Sequence, residues 1–354
     1  MYFLAKALTE LKPGGKLVGI VYDSWQFTKF GEWLNGLIAA NCSSFDVINV
    51  GQQPFHGHMI DATIIVATRS SAEFVSVPIE NGIKNRRIGP FDDIPQFKPL
   101  DSLFRTKRGL RLKQSNFFLC DLSACKKIGA TPFIKKVTSI TGFTIPPKHK
   151  EATLLITPEK PNPAVMDELQ NRLALAKKSP ASNISILTWH RERPATWHTH
   201  RLPTHEPLIF NYYLRNRPRH LLNPSRAYSD NFYGLRPRES IDIYAALAIL
   251  NSTSVCLDIL LKARNQGSGL KKIQLFEFRT VRVPDYTTLP TPALNRLSKL
   301  GRILAKTHRD KATDVILEID KEIAKYFKSS LLNPSELKAH WNRALSTDCY
   351  ERAH

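Results

Sequence analysis

Residues 45–70 read FDVINVGQQPFHGHMIDATIIVATRS, and this stretch decides the fold of the first part of the chain. Apolar residues dominate 45–50 and 60–68, which predicts two strands. The loop between them carries Phe55, with Pro54 before it and Gly57 two residues after it. Proline and glycine are typical of turns. The pattern predicts an aromatic side chain held on an exposed loop at the edge of a sheet.

The residues before this stretch complete an alternating arrangement of helices and strands. Residues 2–11 have apolar side chains at helical spacing, and the turn KPGG at 12–15 ends that helix. Residues 16–22, KLVGIVY, form an apolar run of the kind that is buried in a parallel sheet. A second amphipathic helix is predicted over about 25–40. The predicted order is therefore helix, strand, helix, strand, strand.

The chain is strongly basic. It has 354 residues and a formal net charge of +20, with a pI near 9.8. A basic balance of this size favours a polyanionic partner, with nucleic acid as the leading interpretation and a generally basic surface as the alternative. No apolar run approaches the roughly 20 residues of a membrane helix, and no secretory signal is evident. A cytoplasmic location is therefore expected.

The cysteines and histidines do not indicate a metal site. Five cysteines are scattered without a CxxC pair, which predicts neither a zinc site nor a disulfide framework. The histidines whose spacing comes nearest to a ligand set are His198, His200 and His205. No cysteine or acidic residue lies at a suitable distance from them in the sequence, so no metal is predicted.

Two segments resemble one enzyme family. FLAKALTELKPGGKLVGIVYDSW (3–25) and VINVGQQPFHGHMIDATIIVATR (47–69) resemble successive segments of the gamma-class adenine-N6 DNA methyltransferases of restriction-modification systems, type IIG-like enzymes among them. The resemblance implies a prokaryotic protein that contains the carboxyl half of a Rossmann-like class I methyltransferase domain.

The resemblance also implies a role for Phe55, which aligns with the family's phenylalanine that stacks on a flipped adenine. Taking a base out of the duplex costs a few kcal/mol. Stacking on an aromatic ring returns about 1–3 kcal/mol of that cost. The alternative is that Phe55 is a hydrophobic plug on the sheet edge.

The segment that follows is basic and resembles the target-recognition domain of the same enzymes. LFRTKRGLRLKQSNFFLCDL (103–122) opens it, although the family's Thr-Gly-x-Asn turn is missing. Arginines alternate with aromatics over 187–240, and a glycine-containing basic turn follows at 267–273. Arginine and lysine in such positions suit DNA phosphates, whereas the alternative is a solvated basic surface. The residues predicted to contact DNA are Arg105, Lys107, Arg108, Arg111, Lys113, Arg215, Arg217, Arg219, Arg226, Lys271 and Lys272.

The predicted fold class is α/β followed by α+β. Residues 1–75 would form the carboxyl half of the methyltransferase domain and 76–100 a linker. A mixed target-recognition domain would cover 101–286, and terminal helices would cover 287–354.

Both motifs that define catalysis in the family are missing from the sequence. These are the Phe-x-Gly-x-Gly loop for S-adenosylmethionine and the (Asn/Asp)-Pro-Pro-(Tyr/Phe) motif; the only Pro-Pro here is Pro146-Pro147, which follows Ile145. S-adenosylmethionine is therefore expected to bind mainly through residues that this chain lacks. The expected partners are double-stranded DNA and a second polypeptide that carries the amino half of the methyltransferase domain.

The chain by itself is accordingly expected to be inactive as a methyltransferase. The alternatives are a non-catalytic DNA-specificity subunit, a truncated remnant that binds DNA without methylating it, and an RNA-binding protein.

Overall fold

The computed structural model describes residues 2–22, 25, 29–50, 62–77, 89–112, 115–120, 129–146, 153–154, 162–200, 205–215, 217–224, 226–267 and 270–346. The chain forms two compact units. Unit 1 comprises Met1–Gly89, Tyr213–Asn216 and Leu260–Glu277, and unit 2 comprises Pro90–Tyr212, Arg217–Ile259 and Phe278–His354. The domain boundaries expected from the sequence stay a prediction.

The described chain contains both helices and strands. The α-helices are α1 (Tyr2–Glu10), α2 (Lys29–Asn41), α3 (Leu100–Leu103), α4 (Ser115–Phe118), α5 (Pro163–Lys178), α6 (Ile184–Glu192), α7 (Ile243–Leu250), α8 (Thr253–Lys262), α9 (Leu275–Phe278), α10 (Thr291–Lys306), α11 (Thr313–Tyr326) and α12 (Pro334–Ser346). The strands are β1 (Lys16–Tyr22), β2 (Cys42–Asn49), β3 (Ala62–Arg69), β4 (Phe97–Pro99), β5 (Phe104–Arg108), β6 (Leu119–Cys120), β7 (Phe133–Ile134), β8 (Thr153–Leu154), β9 (Leu208–Asn211), β10 (Tyr213–Leu214), β11 (His220–Leu222), β12 (Ala227–Tyr228), β13 (Phe232–Pro237), β14 (Arg264–Gly267), β15 (Leu270–Lys272) and β16 (Arg282–Pro284).

The first five elements of unit 1 occur in the predicted order of helix, strand, helix, strand, strand. The turn between α1 and β1 needs glycine, because Gly14 has a φ of +76° in the left-handed region. The Gly14 amide donates to the Arg69 carbonyl oxygen over 2.9 Å. This bond joins the start of β1 to the end of β3.

The first sheet of unit 1 has the order β1-β3-β2, and β3 is antiparallel to both neighbours. One face packs on α1 and α2 through a core that includes Leu8, Leu17 and Leu34. The prediction that β1 is a buried strand of a parallel sheet is wrong. Its alternate residues Val18, Ile20 and Tyr22 are 60–65% exposed, because successive side chains of a strand point to opposite faces and the helices cover only one.

Unit 2 is organised around an antiparallel sheet with the order β11-β9-β13-β5. One part of its core is a stack of rings in which Phe210 lies 4.7 Å from both His220 and Phe278, measured between ring centroids. His220 is fully buried, and burial lowers its pKa to about 3, so the ring is neutral at physiological pH.

A second core of unit 2 depends on a glycine in β13. A Cβ atom at Gly234 would lie 2.1 Å from the Tyr228 hydroxyl oxygen and 2.7 Å from Cγ of Glu206. Tyr228 is buried among Ile134, Ile209 and neighbouring side chains, so its ring cannot move aside without disturbing that core.

Several helices of unit 2 are where the sequence predicts them. The apolar spacing of residues 163–178 predicts an amphipathic helix. α5 has these bounds, and it buries the four side chains of the predicted apolar face, Val165, Leu169, Leu173 and Ala176. The sequence predicts either a helix pair or one long helix over 242–263; the structure has a pair, α7 and α8, bent by 55°. From residue 291 onward the sequence predicts three successive helices, which correspond to α10, α11 and α12.

Two local predictions are wrong. Ser335 is predicted by its residue type to cap the last helix, but the Asn333 side chain instead accepts hydrogen bonds from the backbone amide and the hydroxyl of Ser335. Residues 274–285 are predicted to form a strand, but Leu275–Phe278 forms the helical turn α9. In that turn the Glu277 carboxylate accepts from the Gln274 amide over 2.9 Å.

Among the described residues no single helix is long and apolar enough to span a membrane. α7 and α8 reach the necessary length and apolar composition only when the bent pair is taken together.

α11 carries a buried carboxylate that ties it to α8. The Asp320 carboxylate accepts a hydrogen bond from the Thr253 amide over 2.8 Å. Burial raises the pKa of Asp320 to about 6 from its ordinary value of 3.8, although the hydrogen bonds from Thr253 act in the opposite direction. The folded protein therefore holds this carboxyl protonated at pH values where the unfolded chain would ionise it.

We expect the raised pKa of Asp320 to make the stability of the protein depend on pH. Between about pH 4 and pH 6 the folded state binds more protons at Asp320 than the unfolded state, so the free energy of unfolding falls as pH rises through this window. Asp320→Asn removes the titration. Its free energy of unfolding relative to the native sequence should rise by up to about 3 kcal/mol between pH 4 and pH 7.

Denaturant unfolding at a series of pH values measures that difference. Thr313→Ala, an exposed substitution on the same helix that removes no ionisable group, serves as the control, and its difference should stay constant between pH 4 and pH 7. A constant difference for Asp320→Asn would contradict the assignment.

The contact at Gly234 gives a second prediction. Gly234→Ala should lower the free energy of unfolding by about 1–3 kcal/mol, because the added methyl group overlaps a buried tyrosine. Gly36→Ala is the matched control, since Val77 Cγ1 is 3.7 Å from its added Cβ and Gly36 lies within a helix. That control should be neutral or stabilising by about 0.5–1 kcal/mol. Thermal melting of both variants compares them, and equal midpoints would rule out the close approach.

Candidate nucleic-acid interface

The edge strand β5 presents two cations on one face of the central sheet of unit 2. Arg105 and Lys107 are exposed, whereas Phe104 and Thr106 are buried. Arg105 is in register with Arg236 of β13. Side chains of paired residues lie on the same face of a sheet, so these three cations share one face.

A buried carboxylate fixes two of these cations. The Glu206 side chain is 3% exposed, accepts a hydrogen bond from Nε of Arg236 over 2.9 Å and lies 3.9 Å from Nζ of Lys107. Burial raises the pKa of the Tyr228 phenol, and the negative charge of Glu206 raises it further, so the phenol stays protonated. Because one carboxylate serves two cations, this face of the sheet keeps a positive charge.

Arg108 points to the opposite face, because it is the next residue along the strand. Its guanidinium donates to the Tyr212 hydroxyl over 3.1 Å and to the Asp230 carbonyl oxygen over 3.2 Å. The side chain is still 52% exposed. Arg108 is therefore oriented by the protein and accessible to solvent.

Two further arginines lie at the start of β5, around Asp101. Arg238 donates from Nε to the Asp101 carbonyl oxygen over 2.7 Å, and Nε of Arg279 lies 3.5 Å from the Asp101 carboxylate. Arg279 also donates to Oγ1 of Thr106 over 2.9 Å. Their side chains are 40% and 44% exposed, respectively.

These cations lie on both faces of the sheet along its β5 edge, and we call this group the basic edge. It comprises Arg105, Lys107, Arg108, Arg236, Arg238 and Arg279. The residues predicted from the sequence to contact DNA do not include Arg236, Arg238 and Arg279. Arginine density over 187–240 was a signal for the first two, but no local pattern marks Arg279, which reaches Thr106 across 173 residues of sequence.

Three predicted contact residues are packed inside unit 2 instead. Arg219 donates to the carbonyl oxygens of Gly142 and Ile140 over 2.8 and 3.1 Å. Arg226 is 4% exposed and donates to the Pro146 carbonyl oxygen. Both guanidinium groups join separate chain segments; Arg226 is buried and Arg219 is half-buried.

Arg217 is also engaged within the protein. Its Nη2 atom donates to Oγ1 of Thr253 over 3.1 Å, and its guanidinium carbon lies 4.5 Å from the centroid of the Trp341 ring. These contacts give Arg217 a structural role, so it is not included in the candidate interface. Phosphate binding by Arg217 stays a prediction.

The other predicted residues fall into three groups. Arg111 in unit 2 and Arg215 in unit 1 are exposed. Lys271 and Lys272 of β15 are half-buried in unit 1. Phe55 and Lys113 lie outside the described residues, so their roles stay predictions.

Two of the histidines considered as metal ligands, and one of the cysteines, lie in packed surroundings. Burial lowers the pKa values of His198 and His200, which lie beside Trp197 and Phe118, respectively. Within the described part of the chain, no group of three or more His, Cys, Asp or Glu side chains could hold a metal ion. Cys120 is disulfide-bonded, which the cysteine spacing did not predict.

No protein-family model and no curated protein matches the sequence. Among the solved structures that the chain resembles is the type IIG restriction endonuclease BpuSI, with a TM-score of 0.47 and 12% sequence identity. The match covers 97% of this chain and 48% of that enzyme, so the chain spans about half of the enzyme's length. A similarity at this level assigns neither a fold nor a function.

Proposed function

We propose that the chain binds double-stranded DNA as the target-recognition part of a site-specific adenine-N6 DNA methyltransferase of a restriction-modification system. The observation that carries DNA binding is the basic edge, a group of six accessible cations. Five of the six contact the carboxylates of Glu206, Asp230 and Asp101. The choice of enzyme family rests on the sequence resemblance.

The spacing of the cations suits a phosphate backbone. Residues two apart on an antiparallel strand, such as Arg105 and Lys107, are about 6.8 Å apart. That distance equals the axial rise of about two base pairs in B-DNA. Guanidinium groups bind phosphate through two parallel hydrogen bonds, and the contacts of Arg236 and Arg108 within the protein orient these groups before DNA arrives.

Contacts of this kind fix the position of DNA but do not read its sequence. Base readout is proposed to come from other side chains of the recognition domain. Stacking of Phe55 on a flipped adenine stays part of the proposal on the strength of the resemblance alone.

Methyl transfer would require residues from elsewhere. The 354 residues contain neither the glycine-rich loop nor the Asn-Pro-Pro-Tyr-type motif. We therefore propose that a second polypeptide with the amino half of the methyltransferase domain binds most of the S-adenosylmethionine and supplies the catalytic loop.

The first sheet of unit 1 offers a surface for that polypeptide. Val18, Ile20 and Tyr22 of β1 are exposed together with Ile48 of β2, and β1 pairs with no described strand other than β3. A large exposed apolar patch on a soluble protein marks an interaction site, and an unpaired strand edge can accept a further strand.

A second candidate function is a DNA-specificity subunit that never takes part in methylation. The basic edge supports this function equally well. The two functions differ in whether a methyltransferase can be reconstituted with this chain.

The basic edge gives a prediction for DNA binding. The triple variant Arg105→Gln, Lys107→Gln, Arg238→Gln leaves Arg236 paired with the buried Glu206. It should weaken binding of all duplex sequences to a similar extent, because phosphate contacts are lost. The slope of log affinity against log salt should fall by about 1 for each contact removed. Fluorescence anisotropy over 50–300 mM salt measures both quantities.

The control variant Arg296→Gln, Lys299→Gln, Lys338→Gln removes the same charge from exposed positions on α10 and α12. It should retain most of the affinity. Equal losses in the two triple variants would reduce the basic edge to a contribution from net charge and contradict the proposal.

Methylation gives a separate prediction. The purified chain should transfer no methyl group from labelled S-adenosylmethionine to DNA, and a co-expressed polypeptide carrying both missing motifs should restore transfer. Ile20→Asp should block this restoration by placing a charge in the apolar patch, whereas Leu317→Asp, on an exposed part of α11, should not. Methylation by the chain alone would contradict the proposed division of the enzyme.

A further inference from the structure

The small sheet of unit 1 aligns an aromatic residue with two cations. This sheet has the order β10-β15-β14, with antiparallel pairing throughout. Tyr213 is in register with Lys272, and Lys272 is in register with Arg264. Because residues in register share a face, the three side chains form one row across the sheet.

Each cation of the row lies over an aromatic ring. Nζ of Lys272 is 5.3 Å from the centroid of the Tyr213 ring. The guanidinium carbon of Arg264 is 5.6 Å from the centroid of the Phe276 ring. The row therefore begins and ends with an aromatic side chain, and the cations lie between them.

The Arg264 end of the row is held in place by a nearly buried carboxylate. Nε of Arg264 donates to Glu277 over 2.7 Å, and the same carboxylate accepts from the Gln274 amide over 2.9 Å. Arg264 is 24% exposed and Glu277 is 10% exposed as side chains. The pair fixes the guanidinium group beside Phe276, so the aromatic ring has a defined neighbour.

Both aromatic residues are nevertheless exposed to solvent. Tyr213 is 38% exposed and Phe276 is 59% exposed. Leu214, the next residue of β10, is 5% exposed, so the strand presents its aromatic side chain outward and its aliphatic side chain inward.

Exposed aromatic rings between cations suit one kind of ligand in particular. Proteins bind single-stranded nucleic acid by stacking bases on aromatic side chains and placing cations along the backbone. Bases inside a duplex are stacked on one another and do not present a face to such rings. A sheet surface with this composition therefore fits nucleotides that have left the helix.

We propose that this face of the β10-β15-β14 sheet binds unpaired nucleotides of a DNA strand. One base stacks on Tyr213 and another on Phe276, while Lys272 contacts the phosphate between them. The inference rests on the proposed DNA-binding function and deepens it, since it adds a strand-separated region to the DNA that the protein holds.

Three DNA probes test the inference by fluorescence anisotropy. They are a fully paired duplex, the same duplex with a five-nucleotide single-stranded gap, and a 20-nucleotide thymidine strand. The native chain should bind the gapped duplex more tightly than the paired one. Removing both rings in Tyr213→Ala, Phe276→Ala should weaken binding to the gapped duplex by about five- to 150-fold for each lost stack.

The same double variant should change affinity for the paired duplex by less than about twofold. Tyr213→Phe keeps the ring and should behave like the native chain, which separates loss of stacking from loss of folding. Tyr326→Ala is a control for removal of an aromatic of similar exposure, since Tyr326 is 39% exposed on α11 in unit 2. A 2-aminopurine base in the gap should lose fluorescence when it stacks on the native chain but not on the double variant.

The outcomes separate this inference from the proposed function. Equal affinity of the native chain for the paired and gapped duplexes, or an equal loss on both in the double variant, would overturn the inference and leave duplex binding intact. Failure to bind the paired duplex would overturn the proposed function. If binding of the thymidine strand then still depended on Tyr213 and Phe276, the assignment of the sheet face would stand.

Discussion

The basic edge depends on the buried carboxylate of Glu206. A charge removed from water is costly unless it is paired and hydrogen-bonded. Glu206 meets that requirement through Arg236 and Lys107, and in doing so it holds both cations at the surface of the sheet. The close approach of Tyr228 to Gly234 fills the space beside this carboxylate. Packing in the core and the charge pattern outside are thus set by the same few side chains.

Local pattern predicted the elements that depend on short-range periodicity. The boundaries of α5 and its buried side chains follow from apolar spacing and from Pro163 at its first position. The five elements at the start of unit 1 follow from alternating apolar runs and a KPGG turn. The antiparallel pairing of β1 could not be predicted, because a short apolar run has the same sequence pattern whether one face or both faces of the strand are buried.

Arginine density did not distinguish surface residues from structural ones. Arg219 is in a basic, aromatic segment, yet it donates to carbonyl oxygens 77 and 79 residues away in the sequence. Conversely, Arg279 contributes to the basic edge only because the fold brings it to Thr106. The register that places Arg236 beside Arg105 likewise joins strands that are far apart in the chain. Such pairings depend on tertiary contacts and leave no trace in local sequence.

The central claim is that duplex DNA lies against the basic edge, and protection of lysine from chemical acetylation tests it directly. The rate of modification at each lysine can be followed by mass spectrometry as duplex DNA is added at low salt. Lys107 should become protected at saturating DNA, while Lys299 on α10 should react at its original rate. Unchanged modification of Lys107 in the bound state would contradict the account.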